Sequence, residues 1–502
     1  MRIPNVKNIV LTLAIIIYIC CYIFINRDKL NLLNKTIPKE INNVTTSTAV
    51  DVEINITRLK KEKKHMKNNF YIKSAFRVSY HTIRLSLIKY AYNNDTLIWR
   101  IGTKYAGVVL FECTRERCPS RTSPPCTFVG FIGIIYLPEK IESIKELVLQ
   151  SKMTNEHITI PIIDVRKTKN VTKYKHKLGV CIQPVFLFSD YIELIVFLEH
   201  WIAQGATKFY FYKTSFTKNI QNVLSHYRKY VKNIEIETVE WSMLPGNNKN
   251  DSDPNLFIFR LEPFLAIMDC MYRARYVVKY VAQIDLDEMI VVSKKYSNLL
   301  EFLEKKLKED NSISSLSFKS QFIKYKKNWQ SLDDLKKYKF NFLANVKLSK
   351  KLFRPIYTKL VYLPETNFNF YIHYALKTET GILTSKLYNS YNVKEYEGTV
   401  LHHRKMKAKW YFQPCIYDNK SIFEREIPIL NKNLGRHIKH LSLEENGFDQ
   451  NLESSLKKFS VCRENLKEKR TMICTSLRLC EHHISENIWQ TFISVNQSWY
   501  VV

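Results

Sequence analysis

The chain has 502 residues, and 77 Lys and Arg against 47 Asp and Glu give it a formal charge of +30. Such a charge would suit a nucleic acid, but the basic residues are dispersed through segments patterned like ordinary amphipathic helices, so we predict no nucleic-acid partner. The one dense basic run, residues 58–67, precedes any fold signal and is interpreted as part of a solvated stem.

The first segment of the chain predicts a membrane anchor. Residues 9–25 form an unbroken apolar run. At about 1.5 Å per residue, a helix of this length just spans a bilayer. A cleaved signal peptide is the alternative, because Thr12 and Ala14 leave a cleavage site open.

Asn-x-Ser/Thr sites orient this anchor. Lys and Arg are balanced on its two sides and therefore give no orientation. The sites are spread along the chain after the anchor, which favours a glycosylated lumenal body. We therefore predict a single-pass type II membrane protein with a cytosolic tail at residues 1–8 and a lumenal body. The sites begin at Asn34, Asn43, Asn55, Asn94, Asn170, Asn250, Asn419 and Asn496.

The cysteines beyond the anchor fit an oxidising lumen, where most should pair and leave one odd residue. Their connectivity stays open at this level. Cys474, Cys480, His482 and His483 could alternatively bind zinc, but their spacing matches no standard structural zinc pattern. The cysteines in question are Cys113, Cys118, Cys126, Cys181, Cys270, Cys415, Cys462, Cys474 and Cys480.

Composition and pattern divide the rest of the chain into four parts. Residues 26–68 are polar and poor in aromatics, which predicts a lumenal stem. Short β-like runs predict a β-rich lead-in over residues 69–174. A domain of alternating strands and helices is predicted over residues 175–440, and a Cys-containing extension over residues 441–502.

From residue 178 strands and helices alternate. A strand over residues 178–186 is followed by a helix with Asp190 as N-cap and Glu193 three residues later, the pattern of a capping box. Further strands are predicted over residues 208–212 and 234–240, with helices between them. This alternation predicts an α/β fold with a mostly parallel sheet flanked by helices.

The fourth strand of this series leads into Ile284-Asp285-Leu286-Asp287-Glu288. If the strand continues, Asp285 and Asp287 point to one side at its C-terminal tip, and Glu288 points to the other. Two carboxylates there would form a hard oxygen site for Mg²⁺ or Mn²⁺ carrying a diphosphate. A solvated strand end is the alternative. A second Asp-x-Asp, at residues 251–253, lies in a polar loop and is set aside.

Read in order, the motifs resemble glycosyltransferase family 92 over roughly residues 177–440. Two departures are Met268, where the family often has Asn, and His403, which replaces a Tyr. The motifs are residues 180–184, residues 205–212, residues 269–273, the Asp285–Glu288 segment, residues 350–355, His373-Tyr374 and residues 402–404.

The resemblance implies a GT-A-like (Rossmann-like) fold and inverting transfer of a hexose, with galactose from UDP-galactose as the expected donor. The implied acceptor is a glycoprotein N-glycan, with core fucose as one option, and the implied cofactor is Mn²⁺ or another divalent cation. The resemblance also implies that residues 175–440 are the catalytic domain and that this domain lies in the Golgi lumen. Asp285, Asp287 and Asp269 are the expected nucleotide-sugar-binding residues. Asp285, Asp287 and His402 are the expected metal ligands, with His373 as the other late candidate.

The remaining roles stay open. Cys270 is expected to be a disulfide partner, since inverting transfer needs no thiol nucleophile. A catalytically silent, carbohydrate-binding protein is the second hypothesis. A glycoside hydrolase is disfavoured, because carboxylates two positions apart leave no room for a sugar between them. The available acceptor bases are Asp333, Asp334, Glu365 and Glu379, and no spacing selects one.

Overall fold

The computed structural model describes residues 68–120, 125–167, 173–246, 253–325, 331–349, 358–403, 416–418, 422–443, 450–467, 474 and 477–502. The predicted tail, the anchor and nearly all of the stem lie outside these residues. Within the described part of the chain, no helix is long and apolar enough to cross a membrane.

The strands are β1 (Phe70–Arg77), β2 (Thr82–Tyr90), β3 (Leu97–Ile101), β4 (Tyr105–Val108), β5 (Leu110–Cys113), β6 (Phe128–Tyr136), β7 (Glu146–Ser151), β8 (His157–Asp164), β9 (His176–Val185), β10 (Ala206–Lys213), β11 (Ser215–Thr217), β12 (Glu235–Glu240), β13 (Val278–Ile284), β14 (Glu288–Val292), β15 (Ile313–Phe318), β16 (Ser320–Lys324), β17 (Lys347–Ser349), β18 (Lys359–Tyr362), β19 (Asn367–Phe370), β20 (Ala375–Thr378), β21 (Asn389–Asn392), β22 (Gly398–His403), β23 (Ile416–Asp418), β24 (Phe492–Ser494) and β25 (Tyr500–Val501). The helices are α1 (Tyr191–Ala203), α2 (Lys218–Tyr230), α3 (Pro263–Ala274), α4 (Leu299–Glu309), α5 (Leu332–Tyr338), α6 (Glu426–His437), α7 (Gln450–Lys467), α8 (Leu477–Cys480) and α9 (Glu486–Trp489).

The first eight strands form a sheet in the order β4-β3-β7-β8-β1-β2-β6-β5, and β25 is added beside β1. The strands at its two ends, β4 and β5, are parts of one extended segment, because only Val109 separates them. The Val109 N–H continues the pairing with β3 by donating to the Leu97 carbonyl at 2.9 Å. The sheet therefore closes on itself, and we call it the closed sheet. Buried side chains such as Leu85, Trp99 and Leu147 form its core.

The second large sheet has the order β12-β10-β9-β13-β18-β15-β21. Its first four strands are parallel neighbours, but β18 runs antiparallel to both β13 and β15. The prediction of a mostly parallel sheet is thus wrong, since the sheets of this α/β protein are mixed. Apolar periodicity identifies a strand without fixing its direction, and the short β18 carries no helix-crossover signal.

Both faces of this sheet are covered. Helices α1, α2 and α4 pack with residues such as Val180, Phe211 and Tyr280 in one apolar core. On the other face, α3 is joined to β9 by a disulfide between Cys181 and Cys270. The predicted cap of α1 is confirmed, because the Asp190 carboxylate accepts a hydrogen bond from the Glu193 N–H at 2.8 Å.

A five-stranded sheet, in the order β14-β22-β16-β17-β23, lies beyond the end of β13. The strand pairs β11-β24 and β19-β20 complete the architecture. Near the end of the chain, β24 pairs with β11, and β25 pairs with β1 of the closed sheet.

The cysteine prediction is confirmed, because eight of the nine cysteines beyond the anchor form four disulfides and Cys415 lies outside the described residues. The zinc alternative is wrong, since the sulfurs of Cys474 and Cys480 are oxidised in such bonds. The pairs are Cys113–Cys118, Cys126–Cys474, Cys181–Cys270 and Cys462–Cys480.

Candidate active site

The candidate site lies where the direction of chain progression in the second sheet reverses. From β9 the chain moves to β10 and β12 on one side, and then returns to β13 on the other side of β9. In open α/β sheets, ligands bind beyond the carboxyl ends of the strands at such a switch point. Gln183 near the end of β9 donates to the carboxylate of Asp285, which directly follows β13. A carboxylate therefore stands at the switch point.

Asp285, Leu286 and Asp287 form a turn, which we call the carboxylate turn. Strand β13 ends at Ile284, and the Glu288 N–H donates back to the Asp285 carbonyl at 3.1 Å. The interpretation of a continued strand is therefore wrong, and strict alternation of side chains does not apply here. Instead, Glu288 starts β14 and lies opposite His402 of β22 in the neighbouring sheet.

The positive charge of the Lys359 side chain lies next to Asp285. The ammonium of Lys359 on β18 lies 2.8 Å from an Asp285 carboxylate oxygen and 2.8 Å from a Glu288 carboxylate oxygen. Glu288 also accepts the Asp285 N–H at 3.0 Å. Burial would raise the pKa of Asp285, but the charge of Lys359 outweighs burial and holds that pKa below its usual value. Asp285 is therefore an anion whose charge Lys359 balances.

Glu288 differs from its prediction in position and contacts. The side chains of Glu288 and Lys359 are only 2% and 4% exposed, so they form the buried part of the site. Burial opposes the charged form of Lys359, yet Asp285 and Glu288 raise its pKa above the usual value. We expected Glu288 to face away from the site. The turn brings it into the site, as a partner of Lys359.

Asp287 is the most exposed of the three carboxylates, and it lies beside His402, whose side chain is only 14% exposed. The His402 Nε2 atom lies 3.1 Å from an Asp287 carboxylate oxygen, and its Nδ1 atom lies 3.4 Å from Glu288. Burial would lower the pKa of His402, but the bond to Asp287 and the charge of Glu288 raise it. The Asp287 side chain is 40% exposed, which leaves its carboxylate open to a ligand from solvent.

The residues present fit a divalent cation only in part. In the described ranges, no group of three or more His, Cys, Asp or Glu side chains is arranged to hold a metal ion. A carboxylate and an imidazole are nevertheless suitable ligands for Mn²⁺, and Mg²⁺-type sites commonly use one or two carboxylates plus phosphate and water oxygens. Asp287 and His402 could therefore hold an ion whose remaining ligands come from a bound diphosphate and water.

The structure places Asp269 in a different environment from the carboxylate turn. This fully buried carboxylate accepts hydrogen bonds from Tyr212 at 2.5 Å, Ser86 at 2.8 Å and Arg273 at 2.6 Å. Burial would raise the pKa of Asp269, but Arg273 and these hydrogen bonds hold it low. Its described contacts join α3 to β10 and to the closed sheet, and none of them reaches the carboxylate turn. Its binding of the nucleotide sugar therefore stays a prediction.

Two of the four candidate acceptor bases lie beyond the far end of β18. Glu379 is buried between Arg84 and Arg275, and Glu365 accepts a hydrogen bond from Tyr174. The other two candidates, Asp333 and Asp334, lie in α5. The structure brings none of the four into a described contact with the carboxylate turn.

The sequence did not predict Gln183 or Lys359 as site residues. It offered His373 only as the alternative to His402 among the late histidines. Lys359 begins a four-residue strand and carries no motif, so only its buried contacts reveal it. The Nδ1–H group of His373 donates a hydrogen bond at 2.8 Å to the carbonyl of Thr358, the residue before Lys359. Burial lowers the pKa of His373. In the sequence, only the order of the late motifs pointed to His373.

Fold and site together define an α/β protein with ionised side chains at its switch point, the class in which nucleotides and their derivatives bind. The sequence model described as glycosyltransferase family 92 matches residues 176–438. This match covers more than half of the chain, which therefore belongs to glycosyltransferase family 92. The resemblance predicted from the motifs is confirmed, and the protein is a glycosyltransferase by family.

A comparison with curated proteins finds no match. Among solved structures, an amylomaltase from Corynebacterium glutamicum matches with 12% identity and a TM-score of 0.14, over 34% of this chain and 25% of the amylomaltase. The chain thus spans about a quarter of that protein's length. A mannosyltransferase from Pyrobaculum calidifontis, in complex with GDP-Man and Mn²⁺, matches with 11% identity and a TM-score of 0.25, over 64% of this chain and 91% of the mannosyltransferase.

Proposed function

We propose that this glycosyltransferase transfers a hexose, galactose from UDP-galactose, to a glycoprotein N-glycan with inversion at the anomeric carbon. The catalytic region would adopt a GT-A-like arrangement. The observation that carries the proposal is at the switch point, where the partly exposed Asp287 contacts His402. Beside this pair, Lys359 balances the charges of Asp285 and Glu288. Family membership supports the reaction type, and the donor and acceptor rest on the resemblance.

Each residue of the site has a distinct proposed role. Asp287 and His402 would hold a divalent cation, Mn²⁺, through one carboxylate and one imidazole. When bound, this ion would neutralise charge that develops on the departing diphosphate. To act as a ligand, His402 must give up the proton that Asp287 and Glu288 stabilise.

Asp285 would bind the donor through hydroxyl groups of the ribose or the sugar. Lys359 and Gln183 already contact its carboxylate, so its orientation is set before a ligand arrives. A positioned carboxylate accepts hydrogen bonds from hydroxyl groups with little reorganisation. Asp285 is therefore better suited to orient the donor than to complete the metal shell.

We further propose a type II membrane protein with its catalytic region in the Golgi lumen. The apolar run at residues 9–25 and the Asn-x-Ser/Thr sites support this topology. Of these sites, Asn94 and Asn496 are exposed in the structure, where glycosylation can reach them. The disulfides agree with an oxidising compartment.

The test is product formation by the full-length chain with UDP-galactose, Mn²⁺ and a pool of N-glycans, followed by mass analysis. Asp287→Ala should lower the rate about a hundredfold or more, because it removes one of two metal ligands. Asp164→Ala is a matched control, since this carboxylate lies on the closed sheet and pairs with Arg166. Equal rates for wild type and Asp287→Ala would refute the metal assignment.

A panel of UDP- and GDP-sugars in the same assay identifies the donor. Turnover of a different sugar nucleotide would correct the donor and leave the reaction type intact. Glycan binding without turnover of any sugar nucleotide would instead support the catalytically silent alternative.

A further inference from the structure

The His373-Tyr374 motif lies near the carboxylate turn but has no role in the proposed function. Strand β18 runs antiparallel to β13, so its first residue, Lys359, lies at the carboxyl end of β13. Thr358 directly precedes Lys359, and its carbonyl accepts a hydrogen bond from the His373 Nδ1–H group at 2.8 Å. The motif therefore stands at the end of the sheet where ligands of open α/β proteins bind.

An aromatic row leads from the core to the surface beside this motif. The ring centres of Phe264 and Tyr371 lie 4.9 Å apart, and those of Tyr371 and Tyr374 lie 4.8 Å apart. Phe264 is 7% exposed, whereas Tyr374 is 39% exposed. The Tyr362 hydroxyl of β18 donates to the carbonyls of Tyr371 at 2.7 Å and Tyr374 at 3.2 Å. The row thus ends in a ring whose backbone is held and whose side chain is open to solvent.

The closed sheet supplies a carboxylate at the exposed end of this row. The Tyr374 hydroxyl donates to the carboxylate of Glu116 at 2.8 Å. Glu116 is exposed and lies between Cys113 and Cys118, whose disulfide closes the loop after β5. The Asn369 side chain donates to the Cys113 carbonyl of the same loop at 3.0 Å. The closed sheet and the family-matched region therefore build this surface together.

The groups on this surface suit a neutral carbohydrate. A sugar ring has apolar C–H faces that pack on an aromatic ring, and hydroxyl groups that donate to a carboxylate. Ligand sites commonly combine aromatic side chains with a few placed polar groups in this way. The negative charge of Glu116 would repel a diphosphate. The surface is therefore better suited to a glycan than to the nucleotide.

We propose that Tyr374 and Glu116 bind the acceptor glycan, at sugar units beyond the hydroxyl that reacts, so that the closed sheet takes part in acceptor recognition. The inference rests on the proposed function, which makes a glycan the acceptor. Lys359 connects the two regions, because it contacts Asp285 and directly follows the residue that binds His373. A glycan bound at Tyr374 would thus extend toward a donor held at the carboxylate turn.

The test is binding of fluorescently labelled N-glycans, released from glycoproteins, to the full-length chain with UDP and Mn²⁺ present, measured by fluorescence polarisation. Tyr374→Ala should weaken this binding about tenfold, the loss typical of a central aromatic contact. Glu116→Gln keeps the size of the side chain and removes its charge. It should weaken binding about three- to tenfold, since the bond from a sugar hydroxyl loses its charged acceptor.

Tyr338→Ala is the matched control. Tyr338 is also 39% exposed, and it lies at the end of α5. Its replacement should leave glycan affinity unchanged. Calorimetric titration with UDP and Mn²⁺ examines the donor side, where Tyr374→Ala should bind UDP as tightly as the wild type does. Because Tyr374 is exposed, the thermal midpoint of Tyr374→Ala should also match that of the wild type.

The outcomes separate this inference from the proposed function. Wild-type glycan affinity in both Tyr374→Ala and Glu116→Gln would overturn the inference and leave the proposed function standing. An equal loss of UDP affinity would also overturn it, because the damage would then extend to the donor side. A loss confined to intact glycopeptides, with released glycans bound normally, would overturn it as well, since the surface would then bind peptide.

Two results with the wild type complete the test. No binding of any released glycan would overturn the inference. Glycan binding that both variants weaken, without turnover of any sugar nucleotide by the wild type, would support the glycan-binding surface and overturn the proposed transfer.

Discussion

At the scale of single residues, Lys359 controls the charge of the site. Three carboxylates, at positions 285, 287 and 288, lie within four residues, and mutual repulsion would disfavour their ionised forms. The ammonium of Lys359 lies 2.8 Å from the carboxylate of Asp285 and 2.8 Å from that of Glu288. The third carboxylate, Asp287, is 40% exposed and contacts His402.

Removing this buried cation should destabilise the protein strongly. We expect Lys359→Met to lower the free energy of unfolding by about 3–5 kcal/mol, because it leaves Asp285 and Glu288 without their cation. Lys359→Arg retains the charge and should lose less. Denaturant titration compares the variants, and a Lys359→Met variant as stable as the wild type would contradict this account.

A buried histidine chain gives the protein a defined response to acid. His226 contacts His437 at 2.9 Å, and His437 contacts Glu199 at 2.8 Å. Burial, with repulsion from His437 and His440, lowers the pKa of His226 to about 4. In the unfolded chain the pKa of a histidine is about 6.5, so between these values the unfolded state binds the additional proton.

The stability contributed by this histidine should be present above pH ~6.5 and lost as the pH falls toward about 4, by at most about 1.4 kcal/mol per pH unit. His226→Gln removes the titration, so its unfolding free energy should fall less between about pH 7 and about pH 5. Unfolding curves of both proteins at the two pH values measure the difference. Identical pH slopes would show that His226 does not titrate in this way.

At the scale of elements, the position of the site depends on how β9, α3 and β13 are held together. The Cys181–Cys270 disulfide joins β9 to the helix that leads into β13, across 89 residues of sequence. Gln183 and Asp285 then bridge the ends of the two strands. The disulfide on one face of the sheet and the Gln183–Asp285 hydrogen bond at the strand ends thus both hold the switch point in place.

Replacing Cys181 and Cys270 by Ala together should lower the free energy of unfolding by about 2–4 kcal/mol, because a long loop in the unfolded chain is released. The Cys113–Cys118 disulfide spans only 5 residues, and its removal should cost less. Denaturant titration under non-reducing conditions compares the two double variants. An equal or larger loss for the shorter loop would argue against this explanation.

At the scale of the whole molecule, the closed sheet and the catalytic region share a buried ionic interface. Arg84 of β2 and Arg275 both bind Glu379, at 2.6 Å and 2.8 Å, with all three side chains at most 1% exposed. The first and last strands of the described chain also join, since Phe70 and Val502 exchange backbone hydrogen bonds at 2.7 Å and 3.1 Å. The family-matched region is therefore one part of a larger folding unit.

A chain restricted to residues 175–440 should consequently fail to fold cooperatively. It would expose Glu379 and Arg275 without Arg84 and would lose the partners of α3 on the closed sheet, and breaking such buried pairs is strongly destabilising. Thermal unfolding of this fragment and of the full-length chain tests the point. A fragment that unfolds cooperatively and binds UDP would show that the catalytic region folds alone.

The sequence by itself determined the features that short stretches encode. The α1 cap at Asp190, the strand and helix alternation that leads to β13, and the carboxylates of Asp285 and Asp287 at the end of that strand are all patterns within a few residues. The oxidised state of the cysteines was predicted from their number and from the lumenal setting that the sequence suggests. Such features were predictable because the physical causes, backbone capping and apolar periodicity, act locally.

Only the tertiary structure decided which distant residues meet at the site. The reversed direction of β18 puts Lys359 beneath the carboxylate turn, and the pairing of β14 with β22 puts His402 beside Asp287. The turn itself brings Glu288 into the site, against the expectation from strand alternation. Strand partners and chain reversals depend on long-range packing and on the charges that must be balanced inside it, and apolar periodicity in the sequence records neither.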